Sequence, residues 1–92
     1  MAINIDIMRT ITYKAAWLYD QGVECMKEAC MVKLWTTETL QQLMLDAVNL
    51  HGGYGYMREY PIERIWRDAK MLNITEGTTA MNYLAVARAL GV

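Results

Sequence analysis

The chain has 92 residues, enough for one small domain, and 54% of them are hydrophobic, above the usual 45–50% or so. A domain this short is only marginally stable alone, so the surplus points to surface meant for another chain or domain. The formal net charge of -1 removes any bulk electrostatic case for nucleic acid, although backbone amides could still hold a phosphate.

Hydrophobic spacing predicts four helices and no strand. The first runs from about Ala2 to Asp20, with Ile3, Ile7, Ile11, Ala15 and Leu18 in one stripe. Ile5, Met8, Tyr13 and Trp17 make its other sides apolar too, the pattern of a helix that is buried or lacks a partner. Gly22 is placed to stop it. The second runs from about Glu24 to Leu50, with Leu40, Leu43, Met44, Ala47 and Leu50 as its clearest stripe, and ends at Gly52 and Gly53. A glycine-rich loop, GGYGYMREY, follows.

Pro61 suits the first turn of a third helix, about Pro61 to Leu72, with Glu63 near its positive end. Ile62, Ile65, Trp66 and Ala69 share one side of it, and Arg64, Arg67 and Lys70 lie largely on the other. Asn73 to Gly77 is a short break. Thr78 or Thr79 can cap the last helix, which runs to about Leu90 and stops at Gly91. The class is all-α, an antiparallel helical bundle.

Other features are bland. Cys25 and Cys30, read as two positions of one helix, fall about 140° apart and cannot bridge locally. They read as small apolar residues in a reducing compartment, the cytoplasm or a mitochondrial matrix. With His51 the sole histidine, no metal cluster can be assembled. MAINIDIMRT is not a signal peptide, because Asp6 interrupts it and no basic leader precedes it. The longest runs without Asp, Glu, Lys or Arg are too short to span a bilayer.

Two spots depart from helix-building. The first is Asn49-Leu50-His51-Gly52-Gly53-Tyr54-Gly55-Tyr56. Glycines let a backbone approach a ligand and expose its N–H groups, which is what a pyrophosphate needs. A glycine pair after a long helix is more often a helix stop. The second is Ile74-Thr75-Glu76-Gly77-Thr78-Thr79, a carboxylate in a break between helices. It reads either as an acid at a helix dipole or as a general base on an exposed turn, with Gly77 leaving room for substrate.

The two spots stand in the order and spacing of a known family. The run LHGGYGYMREYPIERIWRDAKMLNITEGTT resembles the C-terminal region of acyl-CoA dehydrogenases, and ITYKAAWLYDQG and CMKEACMVKLWTTET resemble that family's preceding helices. The glycine motif, the RDA step at Arg67 to Ala69, the EGT triplet and the VAR step at Val86 to Arg88 fall in register, so the resemblance covers essentially the whole chain.

The resemblance implies roles. Glu76 corresponds to the glutamate that removes the α-proton of an acyl-CoA thioester, giving a trans-2-enoyl-CoA as FAD takes the β-hydride. Gly77 corresponds to a substrate contact. Asn49, Leu50, His51, Gly52 and Gly53 correspond to a stretch touching the adenosine diphosphate part of FAD across a subunit interface. Thr78, Thr79 and Ala80 correspond to a second FAD-contacting stretch. An electron-transferring flavoprotein is the implied electron acceptor, and self-association is the implied assembly.

The sequence differs from the family pattern at Asn49, where glutamine is usual, at Thr75, where tyrosine is usual, and at Ala80, Asn82 and Tyr83. Glu76 argues against the branches that carry the base on another helix. By this resemblance residues 1–92 form the C-terminal helical domain, truncated on its N-terminal side. The isolated chain is then expected to be inactive and not to hold FAD alone. The competing reading is a non-catalytic helical oligomerisation module or remnant.

Overall fold

The computed structural model describes all 92 residues. It contains α1 (Ala2–Asp20), α2 (Met26–Leu50), a 3-10 turn at Gly52–Tyr56, α3 (Ile62–Ile74) and α4 (Thr79–Ala89), and no strand. The all-α expectation holds. Every other element packs on α2, whose 25 residues make it about 37 Å long. Tyr19 lines one groove together with Cys25 and Ala29, and Ile7 lines another together with Trp35, so α1 runs antiparallel to α2. The 3-10 turn packs on α2 and α3, and the far end of α3 returns to Glu38, so α3 is antiparallel to α2 as well.

The glycine stops act locally. Gly22 has φ +69, its N–H donates to the Tyr19 carbonyl, and the Val23 N–H reaches back to Leu18. Gly91 repeats this pattern at φ +78, with bonds to Arg88 and from Val92 to Ala87. Both are the paired bonds that cap a helix through one left-handed residue.

Several boundaries differ from the sequence reading. The second helix starts at Met26, because the Glu24 carboxylate accepts the Met26 N–H at 3.1 Å and Cys25 is the cap, at φ -134. The 140° argument therefore does not apply to Cys25, although both thiols are free. The glycine loop coils into a 3-10 turn through residue 56 rather than running open. The third helix starts one residue after Pro61 and continues two beyond Leu72, with the Asn73 side chain buried against α2. Leu50 is 80% exposed and lies outside the stripe of Leu40, Leu43, Met44 and Ala47.

The unit is open and elongated, with extents of 46 × 24 × 18 Å. Its radius of gyration is 15.4 Å, against about 12 Å expected for a compact chain of this length. Six of 92 residues are buried, and α1 has none. The accessible surface is 6893 Å², against about 5,500 Å² for a folded monomer of 10.6 kDa. Ile3 is 75% exposed and Trp17 60%. No helix is long and apolar enough to cross a membrane.

The candidate active-site turn and cofactor stretches

Four residues, Thr75 to Thr78, separate α3 from α4. Glu76 is at φ +57 and Gly77 at φ +92, so two consecutive residues are left-handed. Glu76 is the one non-glycine residue of the chain with positive φ. A side chain there disfavours the conformation by about 1–2 kcal/mol, and such a residue persists only when its surroundings over-determine it. The reversal lifts the Glu76 side chain into solvent, where its carboxylate has no ion pair and no hydrogen bond. An unpaired carboxylate can accept a proton without first breaking a contact.

Side chains hold the turn from behind. Lys33 Nζ donates to the Thr75 carbonyl and, at 3.3 Å, to the Gly77 carbonyl. Asn82 Nδ2 donates to the carbonyls of Gly77 and Thr78, each at 3.1 Å. Glu38 Oε1 accepts from Asn73 Nδ2 at 3.0 Å and from Thr79 Oγ1 at 2.9 Å, tying the end of α3 to the start of α4. Sequence reasoning missed Lys33, Glu38 and Asn73 and noted Asn82 only as a departure. One signal was available: between Glu28 and Asp46, the only charged residues of α2 are Lys33 and Glu38.

Thr78 caps α4, its Oγ1 accepting the Met81 N–H at 3.5 Å. The amides of Thr79 and Ala80 have no partner in the chain, as at any helix start, and can receive an anionic group. Thr79 already donates its hydroxyl hydrogen to Glu38, so a ligand would meet its backbone or its lone pairs.

An open apolar groove of about 620 Å³ runs beside the turn. Ala15 and Ala16 of α1, Ala29 and Val32 of α2, and Leu72 of α3 contribute to its walls, and Glu76 lies at its edge.

The Asn49–Gly53 stretch is elsewhere. Asn49 follows Lys33 by sixteen residues on α2, about 24 Å along the helix axis. Within one chain the two candidate stretches therefore do not meet. His51 caps α2, with Nδ1 2.8 Å from the Ala47 carbonyl. A carbonyl only accepts, so Nδ1 is the donor in this bond. The Asn49 side chain is exposed and makes no hydrogen bond. Gly52 needs its φ of +58. Gly53 has no positive φ, and a Cβ there would meet nothing within 4 Å. Nothing inside the chain explains that glycine. Gly55 differs: its Cβ would lie 2.5 Å from the Val48 carbonyl oxygen, so it is a packing glycine.

The sequence and the helical fold recur in known proteins. The sequence profile of the family described as "Acyl-CoA dehydrogenase, C-terminal domain" matches residues 1–91. The chain belongs to the acyl-CoA dehydrogenase family. It is 45% identical over 87 residues to a cyclohexane-1-carbonyl-CoA dehydrogenase of Geobacter metallireducens, a match covering 95% of the chain and 23% of that relative. The fold superposes on the crystal structure of acyl-CoA dehydrogenase from Geobacillus kaustophilus with a TM-score of 0.97 and 37% identity, covering all of this chain and 24% of that one. It also superposes on the FAD complex of PigA, with a TM-score of 0.94 and 30% identity over 99% of this chain and 24% of that one. The chain thus spans about a quarter of the length of the proteins it matches.

Proposed function

We propose that this chain is the C-terminal helical segment of a flavin-dependent dehydrogenase acting on acyl-CoA thioesters, with Glu76 as the general base. The observation that carries the reading is the free, exposed carboxylate of Glu76 on a left-handed turn fixed from behind, in a family of acyl-CoA dehydrogenases. Glu76 removes the proton α to the thioester carbonyl. The β-hydrogen leaves as a hydride, for which bound FAD supplies the acceptor, and the product is the trans-2-enoyl-CoA. A carboxylate in water is a weak base, and water exclusion by substrate and the rest of the enzyme strengthens it. Gly77 adds no side-chain bulk next to the thioester.

Asn49, Leu50, His51, Gly52 and Gly53 would contact the adenosine diphosphate portion of FAD, and Thr78, Thr79 and Ala80 a second part. The open space at Gly53 and the unpartnered amides of Thr79 and Ala80 support this. Their separation of about 24 Å along α2 fits stretches serving two sites of an assembly rather than one site of a monomer. Electrons then pass to an electron-transferring flavoprotein. Alone, the chain offers one side of such a site and is inactive. The exposed α1 supports self-association through this segment, the feature shared with the alternative reading as a helical oligomerisation module.

The test is Glu76→Gln in a complete enzyme bearing this segment. Glutamine keeps the shape but cannot take the α-proton, so dehydrogenation is lost while bound flavin is retained. Near-normal turnover in that variant rejects the assignment.

A further inference from the structure

The two carbonyls that flank Glu76, those of Thr75 and Gly77, converge on a single ammonium group, Lys33 Nζ. Lys33 lies more than forty residues earlier, on α2, and is half-buried. It has no carboxylate partner. Its charge is instead directed at the backbone where α3 ends, and the carbonyls exposed at a helix C-terminus attract a cation. Asn82 and Glu38 fix the flanks of the turn, but Lys33 alone bonds to carbonyls on both sides of the left-handed residue.

We propose that Lys33 is the positioning residue that locks Glu76 in the left-handed conformation and so sets the direction of its carboxylate. The importance of this for turnover rests on Glu76 being the base, as proposed above; the conformational claim does not. Lys33 touches no reacting atom. It acts through the two carbonyls, and hydrogen bonds from a charged donor are among the stronger ones.

The test uses the full 92-residue chain, isotopically labelled, compared with Lys33→Met, Lys33→Gln and Lys33→Arg. Nuclear magnetic resonance reads the sign of φ at Glu76 from its amide-to-α-proton coupling and Overhauser pattern. Hydrogen exchange reads the Thr75 and Asn82 amides, which close the turn on either side. The expected result is a left-handed Glu76 in the natural chain and in Lys33→Arg. In Lys33→Met that conformation is lost, and the two amides exchange about tenfold faster or more. Amides at the middle of α2 stay protected, which separates local release from unfolding. Lys33→Gln keeps a polar helix former too short to reach both carbonyls, so it gives the same reading should the methionine variant fail to fold.

A left-handed Glu76 with unchanged exchange in both the Met and Gln variants overturns the proposal, as does a right-handed Glu76 in the natural chain. In a complete enzyme bearing this segment, Lys33→Met is expected to lower kcat by about 100-fold with little change in KM, the effect of misdirecting a reacting group by about 1 Å, and Lys33→Arg to restore it. If Glu76→Gln leaves turnover normal, the base assignment fails while the resonance result stands.

Discussion

Replacing Gly55 by alanine is expected to destabilise the junction between α2 and the 3-10 turn. The added Cβ would sit 2.5 Å from the Val48 carbonyl oxygen, 3.1 Å from His51 Cβ and 3.2 Å from the Val48 carbonyl carbon. Two of these atoms are backbone near the end of a helix, and no flexible side-chain tip can yield. Relief requires the turn to lift away from α2 by several tenths of an ångström. Overpacking of this kind typically costs about 1–3 kcal/mol. In a chain of this length each kcal/mol lowers Tm by about 4–8 °C, so a fall of about 5–20 °C is expected. Gly53→Ala is the matched control, because its Cβ meets nothing within 4 Å, and its Tm is expected to stay level or rise. The assay is a helical circular dichroism melt at one fixed chain concentration, since association raises apparent stability. If the two variants melt together, the close approach of Gly55 to Val48 is not a constraint, and the reasoning fails.

The remaining expectations follow from surface and strain. The isolated chain should self-associate: its surface exceeds that of a compact monomer by about 1,400 Å², more than the roughly 800 Å² per partner of a standard interface. Sedimentation equilibrium at micromolar concentration returning the 10.6 kDa monomer would contradict this. The isolated chain should not purify with stoichiometric FAD, because its contacts are fragmentary and association entropy still opposes binding; a flavin absorbance spectrum decides. Glu76→Gly should stabilise the chain by up to about 1 kcal/mol, since glycine adopts φ +57 without a steric penalty, offset in part by its greater freedom when unfolded. An unchanged or lower Tm would show that the turn carries no strain.

The sequence made the helices legible because their signals are local. The extent of α1, the stops at Gly22 and Gly91 and the Thr78 cap all depend on residues within one turn of each other. One error lies where a distant contact overrides local preference. Asn73 reads as a helix breaker, yet its side chain is buried and bonded to Glu38, and the helix continues past it. Leu50 continues a stripe by spacing, but the helix ends there with no neighbour over it.

The candidate site divides in the same way. Glu76 and Gly77 were visible as an acid and a glycine between two helices, and the family resemblance supplied their role. What makes Glu76 adopt a disfavoured backbone conformation was not visible. Its supports, Lys33 and Glu38, are separated from their partners by 35 to 44 residues. No periodicity reaches that far. A charge isolated in an otherwise uncharged stretch of helix is the trace such a contact leaves in sequence. In α2 that trace consists of Lys33 and Glu38, five residues apart: Lys33 bonds to carbonyls of the turn itself, and Glu38 to Asn73 and Thr79 on either side of it. Side chains from elsewhere thus supply the bonds that the turn itself does not make.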